Sequence, residues 1–263
     1  MKTMYLVLMS LLFLSASAQQ REGKVIYTRT MQMQIHINDD DEMQKVMPRT
    51  RTDKFELVFG NNQSIWRHLD DDDNTDEISG NGMQIRMMAP GQNEIVFHDF
   101  NTSKRVEQTE IMDRKFIVTD SIHKLNWKIT GETQNILGHL CQRATSSRTG
   151  KRTQMNIDNG KMEKKEINDT TNMIAWFTTE IPVPAGPEVQ GQLPGLILAL
   201  EMNDGRMSYK ALEISPKADV SLIKEPVKGK KVTPSEFLIE RDKMMTEMQK
   251  NNQGGNRVIR IQN

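Results

Sequence analysis

The chain of 263 residues holds one cysteine, Cys141. A single thiol excludes an internal disulfide framework and any zinc cluster built on cysteines. Charge of one sign is also missing, with 35 basic side chains against 35 acidic ones. No whole-molecule field therefore draws the protein to nucleic acid or to an anionic membrane. Apolar residues are scarce at 36%, enough for a modest core under much solvated surface. No segment reaches 18 consecutive apolar residues, so no helical transmembrane span is expected. The patterns G-x-S-x-G, H-E-x-x-H and the P-loop are absent. With no catalytic motif, the expectation is a protein that is not an enzyme and needs no cofactor.

The first 18 residues read as an export signal. Lys2 gives the positive start, Met4 to Leu14 the apolar run, and Ala16 and Ala18 the small residues before cleavage at Gln19. The run is too short to span a bilayer, and no cysteine follows it to carry a lipoprotein anchor. The expected mature protein, residues 19–263, is soluble and periplasmic or secreted.

Beyond the signal, alternation with period two dominates. Over 24–37, Val25, Tyr27, Met31, Met33, Ile35 and Ile37 share a face that Arg29 interrupts. Phe55, Leu57 and Phe59 form a second strand, with 65–69 as its return across Gly60-Asn61-Asn62. Further strands are expected at 83–88, 94–100, 104–112, 115–119, 126–130, 138–145, 152–158, 173–179, 196–202, 206–214 and 220–224. Thr149-Gly150, Asn159-Gly160 and Asp204-Gly205 are read as hairpin turns. Segments 39–51 and 70–82 are read as solvated loops. Thr233-Pro234-Ser235-Glu236 opens a helix with a capping box, and Phe237, Met244, Met245 and Met248 recur at helical spacing before Gly254-Gly255.

Several constellations invite a metal. Asp70, Asp72, Asn74 and Asp76 have calcium-loop offsets, but Thr75 and Asn81 stand where such a loop needs glycine and glutamate. Met31, Met33, His36, Met87 and Met88 offer soft ligands for copper(I), although His36 falls on the strand face opposite the methionines. His139 and Cys141 share a strand face. Each has a simpler reading, as solvated loop, gap-filling methionine or small buried thiol, and no metal site is assigned. The most distinctive segment is Ala175 to Pro187, followed by Gln192-Leu193-Pro194-Gly195-Leu196. Its prolines force an extended connection outside any ladder. It reads either as a rigid loop entering a core strand or as a shaped rim beside an oily concavity, with Trp176, Phe177, Leu193, Pro194, Gly195 and Leu196 as candidate binding residues.

These residues resemble the GLPGLI family of exported Bacteroidota proteins. Trp127-Lys128-Ile129, then Glu132-Thr133 through Ile136, Gly138, Cys141 and Ala144-Thr145, are similar to one family block. The 175–187 stretch is similar to a second, and the Leu-Pro-Gly-Leu corner to the name motif. Gln192 stands in place of the motif's first glycine, and Phe177 and His139 in place of tyrosines. The resemblance implies an exported β-rich protein and carries no catalytic residue to transfer.

The expected architecture is mainly β: a strongly curved, half-barrel-like antiparallel sheet with a C-terminal α-helix. The expected layout is a signal at 1–18, a curved-sheet domain at 19–225, and a helix with a polar tail at 226–263. The expected role is to hold a lipophilic ligand, or a segment of an outer-membrane or envelope partner, in an apolar concavity. Copper handling through Met and His, and hydrolysis, are the alternatives.

Overall fold

The computed structural model describes residues 20–32, 50–69, 77–80, 83–86, 93–158 and 161–252. Strands β1 (Gly23–Gln32), β2 (Thr50–Gly60), β3 (Gln63–Leu69), β6 (Ile95–Asp99), β7 (Lys104–Ile111) and β8 (Arg114–Ser121) are followed by β9 (Lys128–Ile136), β10 (His139–Asp158), β11 (Lys161–Thr178), β12 (Leu196–Met202), β13 (Met207–Ser215) and β14 (Lys230–Val232). These form one sheet in the order β14-β8-β7-β6-β3-β2-β1-β13-β12-β11-β10-β9. A separate hairpin pairs β4 (Glu77–Gly80) with β5 (Met83–Arg86). Every partnership is antiparallel except that of β14 with β8. The protein is mainly β, as its alternation predicts. The sheet does not close, because β14 and β9 stand at opposite ends of the order.

Side-chain contacts reveal the curvature. Trp66 on β3 and Tyr209 on β13 lie three strand spacings apart, about 14 Å on a flat sheet. Their ring centroids are 6.0 Å apart. The sheet curls around an inward face carrying Val25, Tyr27, Phe55, Leu57, Trp66, Ala175, Leu200 and Tyr209 in one core. Val58, Ile65, Phe97, Val106 and Ile117 form a second core with Ile223. Strand alternation puts them on the opposite face, under the 216–228 connection.

Turn chemistry fixes the register. Asn61 and Asn62 both take positive φ between β2 and β3, the tight turn that matches strand twist. Asn203, Asp204 and Gly205 do the same between β12 and β13. Thr149-Gly150 does not turn the chain. Both residues lie inside β10, with Gly150 paired to Asp169, because the partner strand begins at Lys161 and carries the ladder past them. The expected strands at 138–145 and 152–158 are therefore one strand. The strand expected at 220–224 is a short 3-10 turn over Val220–Leu222, where the Asp219 side chain accepts from the Ser221 N–H. β4 falls within the segment read as loop, and residues 33–37, 87–88 and 159–160 lie outside the described residues.

The C-terminal helix α1 (Pro234–Asn252) starts as its capping box requires. The Glu236 N–H donates to Thr233 Oγ1 at 3.3 Å, and the Thr233 N–H donates to Glu236 Oε2 at 2.7 Å. Phe237 and Met244 pack on Phe116, Val118 and Val232. By register, Val118 shares the face of Val96 and Leu57, so α1 covers the inward side of the sheet at its β8–β14 end. No helix of the described residues is long and apolar enough to cross a membrane.

Candidate functional site

The segment between β11 and β12 fills the hollow that the curled sheet creates. Ile181, Val183, Ala185, Val189 and Leu193 belong to the inward core. Two of the intervening residues are Pro182 and Pro184, which lack an N–H and so leave no donor to satisfy. The Val183 N–H donates to the Ile181 carbonyl at 2.8 Å, and the Ala185 N–H to the Val183 carbonyl at 2.7 Å. These successive γ-turn bonds satisfy the backbone without a ladder. The Leu196 and Ile197 N–H groups then donate back to the carbonyls of Ile181 and Ala185 at 3.0 and 2.9 Å. Tyr27, from the first strand, donates its hydroxyl to the Ile197 carbonyl at 2.6 Å.

The six residues expected at a rim are brought together, but most face inward. Phe177 and Leu196 are fully buried and Leu193 is 4% exposed. Gly195 is buried, and a Cβ there would sit 2.1 Å from the Thr178 carbonyl oxygen. Only glycine lets the two backbone strands approach this closely. Trp176 is half-buried and Pro194 is exposed. The corner is thus first a packing element. Gln192 has a role that its departure from the motif concealed: its Oε1 accepts from the Leu125 N–H and from Trp127 Nε1, both at 3.0 Å.

At one end of the inward face the apolar pattern gives way to charge. Arg29 pairs across β1 and β2 with Asp53, and across β1 and β13 with Tyr209. Its Nη2 donates to Asp53 Oδ2 at 2.9 Å, and its guanidinium lies 4.6 Å over the Phe55 ring. Arg51 Nε donates to Asp53 Oδ1 at 3.0 Å. Arg29 is 4% exposed and Asp53 1%. Arg29 Nε has no hydrogen-bond partner among the described residues. Tyr209 donates its hydroxyl to Glu188 Oε1 at 2.5 Å, which ties the hollow-filling segment to the cluster. Burial, then Glu107 and Glu188, push the Glu94 carboxyl up to about 7, against the pull of Arg105 and Arg29. Glu107 accepts from Arg105 Nη2 at 2.5 Å. The mouth of this cluster opens outward, since Glu188 is exposed and Glu94, Arg105 and Glu107 are half-buried.

Sequence reasoning flagged Arg29 as the break in an apolar face and missed the groups that answer it. Asp53, Glu94, Glu188 and Tyr209 come from four other elements, and none stands out locally. The remaining candidates do not assemble. The His139 imidazole binds Glu180 Oε2 at 2.7 Å, while Cys141 Sγ is directed to the His139 backbone carbonyl at 3.6 Å. Burial, then Glu180, push the Cys141 thiol up to about 11, the reverse of an activated nucleophile. Ser64 Oγ is engaged by Gln190 Oε1 at 2.6 Å. The residues weighed for calcium, 70–76, and Met33, His36, Met87 and Met88 lie outside the described residues. Among the described residues no group of three or more His, Cys, Asp or Glu side chains could hold a metal ion.

Comparison with known proteins finds a family match over part of the chain and a likeness of fold. Residues 127–199 match a family described as a protein of unknown function, Porph_ging. The matched region runs from Trp127, which Gln192 holds, to Ala199 on β12, and so contains the hollow-filling segment. No curated protein matches the chain. Among solved structures, PNGF-II in its C2 space group aligns with a TM-score of 0.50 at 14% identity, over 85% of this chain and 32% of that one. PNGF-II in the P21 space group aligns with a TM-score of 0.47, also at 14% identity, over 84% and 32%. The chain spans about a third of the length of these structures. At such identity the first likeness concerns the fold alone.

Proposed function

We propose that this chain is an exported cell-envelope protein of the GLPGLI type that binds a partner and does not catalyse. The observation that supports this is the charged cluster on a face that should be apolar. Burying Arg29, Asp53 and half-burying Glu94 costs several kcal/mol that a hydrocarbon lining would avoid, and the cluster leads outward through Glu94, Glu107, Arg105 and Glu188. Because its own segment occupies the hollow, the bound group is the polar end of an amphiphile or a polar partner segment. That group meets the mouth of the cluster. Trp176 and Pro194 are the members of the expected rim that a ligand's apolar part could reach without displacing the core. The reactive side chains Ser64 and Cys141 are buried and engaged, which favours holding over transforming.

The test is native mass spectrometry of the mature protein purified from the envelope of its own host. The expected result is a bound species that is lost in Glu188→Gln and reduced in Trp176→Ala, with circular dichroism unchanged. A bound species equally retained by both variants, or turnover in esterase, glycosidase and peptidase screens, would overturn the reading. Leu196→Asp is unsuitable as a probe, since its site lies in the core.

A further inference from the structure

The corner 186–191 of the hollow-filling segment is bounded by Gly186 and Gly191, both at positive φ. Glycine absorbs the φ and ψ change of a hinge at least cost. Between them, Val189 is buried in the inward core. Among the described residues, two side-chain hydrogen bonds hold this corner to the sheet. Tyr209 on β13 donates to Glu188 Oε1, and Ser64 on β3 donates to Gln190 Oε1.

The Glu188 side of the corner meets other carboxylates. Trp66, whose ring lies 6.0 Å from that of Tyr209, pairs with Val96 on β6. Glu94 lies two residues before Val96, on the same face, and Glu107 lies opposite Val96 on β7. The curl that joins Trp66 to Tyr209 thus turns Glu94 and Glu107 towards Glu188, and the charges of both act on Glu94. Arg105 answers Glu107, while Arg29 and Arg51 answer Asp53. No ion pair answers Glu94 or Glu188 among the described residues. His68 on β3 stands beside Glu94 in register, with its Nε2 4.0 Å from Asp53 Oδ1. Glu94 therefore faces Arg29 from β1, Asp53 and Arg51 from β2, His68 from β3, Arg105 and Glu107 from β7, Tyr209 from β13, and Glu188.

We propose that the 186–191 corner is a proton-operated latch over the hollow, closed while Glu94 is neutral and loosened when Glu94 ionises. The latch is set by the fold and is independent of what the charged cluster binds.

The sign follows from the charges. With a proton on Glu94, Glu188 has no unanswered like charge beside it and keeps its bond to Tyr209. Ionised Glu94 repels Glu188 from a half-buried place where water screens little. Swinging the corner outward separates the two and lets water reach Glu94, so the open form holds that proton less tightly. Opening therefore releases a proton and is favoured as pH rises. Burial and the neighbouring carboxylates hold Glu94 at about 7 in the closed form, so the change falls across neutrality.

Amide hydrogen exchange of the mature protein from pH 5.5 to 8.5 tests it, read at Val189 and Gly191 and divided by the intrinsic rate. These N–H groups donate to the carbonyls of Pro187 and Pro184. Their protection is expected to fall at least about tenfold as pH rises, the effect of lowering one carboxyl pKa by about one on opening. Amides of β1 and β2 are expected to keep theirs. In Glu94→Gln the corner is expected to stay protected and flat with pH. Glu188→Gln, on an exposed side chain, keeps an acceptor for Tyr209 without the charge and is expected to fall less than the wild type. If Glu94→Gln fails to fold, Glu188→Gln decides alone. A flat wild type, a fall in either variant as steep as the wild type's, or a parallel fall in β1 and β2 would each overturn the latch.

Discussion

Arg29 Nη2 and Asp53 Oδ2 stand 2.9 Å apart on adjacent strands, and both residues are almost wholly withdrawn from solvent. A pair in this setting is costly to half-remove. Asp53→Ala would leave the Arg29 charge buried and also remove one acceptor of Arg51. The expected loss is about 3–5 kcal/mol, read from urea unfolding. Arg29→Met combined with Asp53→Leu keeps the volume apolar and should recover most of it. A double variant as unstable as Asp53→Ala would show that the pair is needed for more than charge balance.

Tyr27 anchors the first strand to the start of β12, just past the hollow-filling segment, through one bond to the Ile197 carbonyl. Tyr27→Phe keeps the ring in the core and strands that buried acceptor. The expected cost is about 1–3 kcal/mol in unfolding free energy. Circular dichroism should be unchanged.

Glu94 gives the protein a pH dependence with a definite sign. Its carboxyl titrates at about 7 in the fold, above the ordinary 4.5. Between those values the unfolded chain ionises while the native chain keeps its proton, so stability falls as pH rises from about 4.5 to about 7. The difference is roughly 3 kcal/mol at most. His98 acts in the other direction: burial, then Arg105, lower it to about 3, so stability falls as pH drops below its ordinary 6.5. The Glu94 contribution is therefore read as the wild-type curve minus that of Glu94→Gln, measured in urea from pH 4 to 8. A flat difference would place Glu94 in solvent.

The same contrast marks what could be read in the chain before folding. Alternation over Val25–Tyr27 and Phe55–Phe59 announces strands and an inward face, because a half-buried sheet demands period two. The capping residues Thr233 and Glu236 announce the helix for an equally local reason. Gly150 misled because a glycine inside a long hairpin looks like a turn until its partner Asp169 is known. The charged cluster was visible only as Arg29. Its other members approach through strand order β6-β3-β2-β1-β13, which no single segment encodes. The fate of Phe177 and Leu193 depends on the curvature of the whole sheet, so an apolar, proline-rich stretch could be read as rim or as filling.

Gln192 and Gly195 separate two explanations of the Leu-Pro-Gly-Leu corner. If the corner is a packing element, its most sensitive point is the contact with the Thr178 carbonyl, where an added Cβ would sit at 2.1 Å. Gly195→Ala must then push β12 away from the end of β11, and the expected result is a loss of more than about 2 kcal/mol or failure to fold. Gln192→Ala removes one acceptor shared by the Leu125 N–H and Trp127 Nε1. It should cost about 1–2 kcal/mol and shift Trp127 fluorescence to the red as the indole turns to water. Gln192→Gly, which restores the glycine of the motif, should behave like Gln192→Ala in both readouts. A Gly195→Ala protein as stable as the wild type would mean that the corner yields freely. Phe177 and Leu193 could then swing out to meet a ligand.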